Sequence, residues 1–304
     1  MRHILAIEIG GTKLQAALGT EAGEILKRRR RAVPRGSTAS DIREMVAELG
    51  RELTAGRRPR HVGIGFGGPV DTAAGRVIVS FHVPGWDGFP LRQWGEETFG
   101  APCRIQNDTN CGALAEARVG AGAGAEAVFY TNIGSGIGGG LVINGQLYDR
   151  PAGACEIGHT KLWDPQAGQY CIVEHLCSGW SLDRMARQRA RAGLLDRALE
   201  LAGGEVEDLT AEHVGAAAAE GDEAARELVA TVARNFAIAL CNVIALLNPD
   251  RIVVGGGVSL MGEVFFGPLR AAVAEGVFKP YARNYEIVPA GLGEDVVLVG
   301  ALLI

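Results

Sequence analysis

The sequence predicts an α/β protein built of two related lobes, and three observations carry that expectation. Short apolar strands alternate with amphipathic helices along the chain, which is the pattern of an α/β fold. A strand–glycine turn–strand unit occurs twice. Laying AIEIGGTKLQAAL (residues 6–18) over YTNIGSGIGGGLV (residues 130–142) puts Gly10 on Gly134 and Glu8 on Asn132, a long-range duplication rather than a solenoid period. The length, 304 residues, exceeds one small domain and is comfortable for two lobes.

The elements follow in order. Residues 4–19 alternate and turn at Gly10-Gly11, which reads as a hairpin, and residues 24–33 continue as a strand ending in the basic run from Lys27 to Arg31. Ile42, Met45, Val46 and Leu49 have helical spacing over residues 40–54, with Ser40 and Asp41 as the start signal. Residues 61–66 predict a buried strand ahead of the turn Gly67-Gly68-Pro69, and residues 90–99 a helix opened by proline. A strand over 103–106 ends at Asn107-Asp108, and a helix follows over 109–118. The pattern then restarts, with a strand over 127–133, a glycine turn over 134–140 and a strand over 141–143. The second half is more helical, over 182–191, 211–219 and 223–247. The last of these is apolar at Leu228, Val232, Phe236, Leu240, Val243 and Leu247 and is closed by Asn248-Pro249. A strand over 251–254 runs into Gly255-Gly256-Gly257, and a helix follows over 262–275. No stretch reads as a disordered linker.

Composition narrows the function. Hydrophobic residues at 47% and charged residues at 21% are the profile of a globular chain with a real core. The 44 glycines without a G-x-y period point to tight turns and ligand loops. A net charge of −5 argues against binding nucleic acid through the overall field. The opening MRHILAIEIGG contains Glu8 and lacks a small-residue cleavage site, so it does not read as a signal peptide. The apolar run around residues 236–247 is too short to span a bilayer. A cytoplasmic enzyme is the expectation. Its six cysteines, with no C-x-x-C pair, read as buried small hydrophobes.

Three kinds of motif carry chemistry. Gly10-Gly11-Thr12-Lys13, Gly134-Ser135-Gly136 with its continuation to Gly140, and Gly255-Gly256-Gly257 each follow a strand. Turns without side chains let backbone N–H groups approach a polyphosphate closely; each alone also reads as a structural turn. None is a P-loop or a Rossmann fingerprint. Asn107-Asp108, at a strand end before a helix, offers a carboxylate able to take a hydroxyl proton, or simply an N-cap. Glu156, His159 and Glu174 suit the paired donors and acceptors of a polyol, or an ordinary salt-bridged surface.

Taken in order, these segments resemble the ROK family of sugar kinases and related repressors, within the actin/hexokinase-like ATPase superfamily. The matching stretches are AIEIGGTK (6–13), GFGGPVD (65–71), QNDTNCGALAE (106–116), IGSGIGGG (133–140), GACEIGH (153–159), CSG (177–179) and the stretch from LNP to GGG (247–257). The resemblance implies two actin-like (ribonuclease H-like) lobes around a central cleft, residues 1–110 plus 291–304 forming the smaller and 111–290 the larger. It implies transfer of the γ-phosphate of ATP to a hexose hydroxyl with Asp108 as general base. Gly68, Asn107, Glu156, His159 and Glu174 would hold the sugar. Gly10, Gly11, Thr12, Lys13, Gly134, Ser135 and Gly136 would cradle phosphates, and Gly255, Gly256 and Gly257 would lie by adenosine. Mg²⁺ would accompany ATP, and the family includes homodimers. Glucose, fructose, mannose and N-acetylated hexoses share the same polar contacts.

The chain also departs from the family. Glu8 stands where Asp is usual, and would reach Mg²⁺ through water. Many members bind zinc through the equivalent of His159 and three cysteines; here residues 159–171 keep only Cys171, which predicts no zinc. A rearranged site drawing on Cys155, Cys171, His175 or Cys177 is the alternative. His82 stands where related kinases often have Asn. The basic run over 27–31 reads as a solvated strand edge rather than a nucleic-acid site. The first strand begins at His3 with no helix-turn-helix before it, which disfavours a repressor; a non-catalytic sugar sensor of the same fold is the rival reading.

Overall fold

The first glycine turn closes a hairpin as its alternation predicts, and the later elements fall into place behind it. In chain order they are β1 (Ile4–Ile9), β2 (Lys13–Gly19), β3 (Ile25–Ala32), α1 (Ala39–Thr54), β4 (Val62–Phe66), β5 (Val70–Asp71), β6 (Arg76–Val77), α2 (Leu91–Phe99), β7 (Cys103–Asn107) and α3 (Asp108–Val119). Next come β8 (Ala127–Ile133), β9 (Ile137–Ile143), β10 (Gln146–Leu147), β11 (Lys161–Asp164), β12 (Gln169–Ile172), α4 (Glu174–Cys177), α5 (Gly179–Arg191), α6 (Asp196–Leu201), α7 (Ala211–Glu220) and α8 (Glu223–Leu247). The chain finishes with β13 (Arg251–Gly255), α9 (Glu263–Gly276), β14 (Glu286–Pro289) and α10 (Val296–Leu303). This computed structural model describes residues 3–80 and 83–304; His82 lies outside the described residues. Two units emerge, Met1–Gly124, Gly140–Ala154 and Gly291–Ile304 forming the first, Ala125–Gly139 and Cys155–Ala290 the second.

Two five-stranded sheets organise the protein, with orders β3-β2-β1-β4-β7 and β10-β9-β8-β13-β14. Each therefore runs third-second-first-fourth-fifth by order of appearance, the architectural counterpart of the duplication read from the two glycine hairpins. In the first, β1 pairs antiparallel with β2, Ile9 facing Leu14, and parallel with β4, which pairs parallel with β7. Parallel strands are covered on both faces, and β1 and β4 are apolar and buried along nearly all of their length. One face packs Ile42, Val46, Leu49 and Leu53 of α1, together with Trp86 and Leu91. The other packs α10, where Ile4, Ala6 and Ala17 meet Leu298, Ala301 and Leu302. Two glycines let α10 approach closely, Gly63 on the sheet and Gly300 against α3. A Cβ on Gly63 would lie 1.8 Å from the Ala301 carbonyl oxygen, and one on Gly300 would lie 2.0 Å from that of Cys111.

The helix ends refine the sequence reading. α1 starts at a Thr38 capping box, in which Thr38 Oγ1 accepts the Asp41 N–H and Asp41 Oδ2 accepts the Thr38 N–H. Ser40 and Asp41 therefore lie inside the helix rather than before it. The second glycine turn is shorter than predicted, since β9 begins at Ile137. The basic strand β3 is no bare edge: Arg28 pairs with Asp295, Arg30 with Glu294, and Arg31 with Glu48 and Glu52. α8 is, by length and composition, long and apolar enough to cross a bilayer, contrary to the shorter apolar run read from the sequence. Its Leu228, Val232, Phe236 and Leu240 are instead fully buried in the second unit's core.

Candidate active site

In the first unit the carboxyl ends of three parallel strands come together. β1 ends at Gly10, β4 at Gly67-Gly68 and β7 at Asn107-Asp108, the edge where open α/β sheets place ligands. The Gly67 N–H donates to the Ile9 carbonyl at 2.8 Å. A Cβ on Gly67 would stand 3.4 Å from Asp108 Oδ2 and 3.6 Å from the Gly10 Cα, so this glycine keeps the three ends close. Gly10 N–H donates to the Lys13 carbonyl at 3.1 Å, leaving Gly11 and Thr12 exposed at the turn.

The competing cap reading of Asp108 resolves in its neighbour's favour. Asn107 is the N-cap of α3: its Oδ1 accepts the Asn110 N–H at 3.1 Å, and its Nδ2 donates to the Gly68 carbonyl at 3.1 Å. Asp108 is the first helical residue, and its Oδ1 accepts the Thr109 N–H at 2.7 Å. Gln106, buried at the end of β7, braces the junction by accepting from the Asn107 N–H and from Asn110 Nδ2. Asn107 and Gly68 are thus joined directly, and Asp108 stands beside them at the helix N-terminus.

Glu8 lies in the same unit, on β1 before the glycine turn. Its Oε1 is 3.5 Å from Lys13 Nζ, and its Oε2 accepts from Gln15 Nε2 at 2.9 Å. Burial raises its carboxyl above the ordinary glutamate range, and the Lys13 ammonium and Gln15 amide oppose that rise without cancelling it. Sequence reasoning missed Gln15. A polar side chain at a core position of a strand was the available signal, and it is 1% exposed.

The second unit gathers the other predicted residues. Gly134 N–H donates to the Gly136 carbonyl at 2.9 Å, closing the second turn as Gly10 closes the first. Glu174 opens α4, and its Oε2 accepts the Ile137 N–H at 2.8 Å; a Cβ on Gly136 would sit 2.7 Å from that oxygen. The carboxylate therefore clamps the glycine turn. Glu156 and His159 flank a single 3-10 turn. The Glu156 side chain reaches solvent, yet the surrounding protein displaces enough water to raise its carboxyl. His159 offsets part of that rise, and the Glu174 charge adds to it. His159 and Glu174 thus lie near enough for their charges to act on the Glu156 carboxyl.

The third glycine run ends β13. Gly256 has φ +86°, and a Cβ there would lie 2.5 Å from the Ile133 carbonyl carbon and oxygen, so no other residue fits. The Gly179 N–H donates to the Gly134 carbonyl at 2.7 Å, which draws the start of α5 against the second turn. Beside these lies a cavity of about 930 Å³, lined by Gly134, Ser135, Trp180, Ala216, Gly257 and Met261 among others. Its size and mainly apolar wall suit a flat heterocycle. Trp180, absent from the sequence reading, stands 57% exposed at its rim.

Comparison with known proteins joins these groups to one lineage. The model of the ROK family matches residues 4–304. The chain belongs to the ROK family. It is 31% identical to the glucokinase of Thermotoga maritima, over 98% of this chain and 95% of that protein. Among solved structures, a ROK family glucokinase from Streptomyces griseus in complex with glucose and AMPPNP superposes with a TM-score of 0.86 at 32% identity, covering 99% and 98% of the two chains. A ROK family transcriptional regulator, a homologue of the E. coli MLC protein, is similarly close in fold, with a TM-score of 0.87 at 25% identity; this chain covers 77% of it. The two sheet-based units are the actin-like ATPase fold of ROK sugar kinases.

Where the sequence departs from the ROK zinc motif, the chain forms the hairpin β11–β12. Among the described residues, no three His, Cys, Asp or Glu side chains gather into a metal-holding group. Burial holds the Cys177 thiol well above its usual range, with a further rise from Cys171 nearby.

Proposed function

We propose that this protein is an ATP-dependent sugar kinase that moves the γ-phosphate of ATP to a hydroxyl of a hexose. The observation that carries the reading is the division of labour at the β7–α3 junction. Asn107 caps the helix, and Asp108 is left at the convergent strand ends with a carboxylate able to take a proton from an attacking hydroxyl. The full-length similarity to glucokinases supports the same chemistry.

The roles proposed for the remaining residues are those the family resemblance implies. Asp108 is the general base. Gly68, Asn107, Glu156, His159 and Glu174 hydrogen-bond the sugar's hydroxyl groups, the carboxylates accepting and the Asn107 amide able to do both. The turns at Gly10–Thr12 and at Gly134–Gly136 offer N–H groups to phosphates, and Lys13 adds a positive charge. The cavity beside Trp180 and Gly257 takes the adenine. Mg²⁺ fits as an ion brought by the nucleotide. Glu8 is one half-buried carboxylate already engaged by the Gln15 amide and facing the Lys13 ammonium, a donor set suited to holding a hydrated ion through water rather than to caging a bare one. When bound, the ion neutralises charge on the phosphate oxygens.

ADP release measured with glucose, fructose, mannose and N-acetylated hexoses tests the reading and ranks the sugars. Asp108→Asn should keep sugar binding and lower turnover by about 10²- to 10⁴-fold; unchanged turnover in that variant sinks the assignment. One observation favours a second reading. Lys13 leans on Glu8 rather than standing free, as a sugar sensor without turnover would tolerate. Sugar binding with no ADP release from any hexose would select it.

A further inference from the structure

Two of the residues assigned to the sugar, His159 and Glu174, stand at the feet of one hairpin. The chain leaves His159 through Thr160, whose hydroxyl and N–H both donate to the Ile157 carbonyl, at 2.7 and 3.1 Å. It runs out along β11, returns along β12, and closes where the Val173 N–H donates to the Thr160 carbonyl at 2.9 Å, one residue before Glu174. The tip is a tight turn: Asp164 Oδ1 accepts the N–H groups of Gln166 and Ala167, and Gly168, at φ +63°, donates to the Asp164 carbonyl. A two-stranded ribbon this short is marginal in water. Its inner face is anchored by Leu162, which is buried; on the outer face closure depends on cross-strand side-chain pairs. One such pair is conspicuous. Trp163 and Tyr170 face each other in register and pack edge to face with centroids 5.3 Å apart, on the outer face, 53% and 70% exposed.

We propose that the Trp163–Tyr170 pair is a positioning device that zips this hairpin and thereby fixes the His159 foot relative to Glu174 for sugar binding. The inference rests on the kinase reading for the identity of the ligand. Glu174 is held independently, by the Ile137 N–H on its carboxylate and by Ser181 Oγ on its carbonyl. His159 keeps its N–H on the Glu156 carbonyl at 3.1 Å, so loosening the zip slackens the strand that leads away from it and leaves the glycine turn clamped. Sugar affinity moves; ATP affinity and the turnover of bound substrate do not. Both rings are largely exposed, so trimming them removes no core.

The test compares Trp163→Ala, Tyr170→Ala, the double variant and Tyr170→Phe, with sugar binding by calorimetry alongside steady-state kinetics. Each alanine variant should weaken glucose binding and raise its KM by roughly two- to fivefold, the range of one aromatic cross-strand pair. The KM for ATP and kcat should stay at wild-type values. The double variant should be no worse than either single one, because the pair acts as a unit. Tyr170→Phe should restore binding. Unchanged sugar affinity, additive single effects, or parallel shifts in ATP KM and kcat would each overturn the proposal. If the wild type binds glucose without releasing ADP, the kinase reading fails while the binding data still decide the role of the pair. If it turns sugar over and the alanine variants match it, the pair proposal fails alone. A wild type that binds no hexose overturns both.

Discussion

Replacing Glu116 should loosen the first unit more than any single change at the glycine turns' exposed tips. Glu116 lies in α3 and is fully buried. Its Oε2 accepts the N–H of Ala121 at 2.7 Å and of Gly291 at 3.1 Å, and its Oε1 accepts the N–H of Leu292 at 2.9 Å. One carboxylate thus ends α3 and ties the returning chain to it. Hydrogen bonds to a charged group contribute about 1.5–3 kcal/mol each, so three give a gross loss of roughly 4.5–9 kcal/mol on truncation. Two terms reduce it. Glu116→Ala also relieves the cost of keeping a charge buried, and the freed N–H groups at Ala121 and Leu292 lie in half-buried backbone that water can reach. A net loss of about 3–5 kcal/mol is expected, a large share of the roughly 5–15 kcal/mol that stabilises a typical fold. Glu116→Gln should lose less, about 1.5–3 kcal/mol, because the amide oxygen can keep two of the three acceptor roles while its NH₂ faces a donor. Urea unfolding followed by the short-wavelength emission of the buried Trp86 reads the first unit, and hydrogen exchange at Leu292 reads the tie itself. A Glu116→Ala protein within 1 kcal/mol of wild type, with Leu292 exchange unaltered, would refute the reasoning.

Two further outcomes are expected. Glu156 has its pKa raised in the fold, so between the ordinary glutamate value and the raised one the folded chain keeps a proton the unfolded chain has released. Stability should therefore fall as pH rises through that window, while sugar KM should rise as pH falls through the raised value; Glu156→Gln should remove the KM dependence and lessen the stability one, to which the raised Glu8 also contributes, read by thermal melts and pH-resolved kinetics. Gly256→Ala should destabilise the second unit by about 3 kcal/mol or more, since φ +86° and the Ile133 backbone leave no space, whereas Gly257→Ala, with nothing within 4 Å of the added Cβ, should melt like wild type.

What could be read from the sequence depended on how far apart the partners lie. The hairpins at Gly10 and Gly134 and the helices over α1, α3 and α8 announced themselves through local period, and their ends shifted by only a few residues. Asn107-Asp108 was legible as a pair of alternatives, cap or base, because both residue types suit both roles; only the Asn107–Asn110 bond divides them. Glu116 sat inside a recognised segment without a stated role, since the N–H groups that explain it come from residues 291 and 292. β14 and the β11–β12 hairpin were missed for another reason. Four-residue strands carry too little alternation to stand out, and the Trp163–Tyr170 match becomes visible only once the register is known.

The position of α10 gives the protein an unusual birth order. The apolar underside of β1 and β2 is covered by Leu298, Ala301 and Leu302, and Gly63 lets that helix approach β4 closely. Domains are commonly finished in the order in which they leave the ribosome. Here the unit begun first is completed last. Through most of translation that face of its sheet is covered only in part, by α3, while the second unit is synthesised, so a chaperone that shields Ile4, Ala6 and Ala17 has its longest opportunity on this nascent chain.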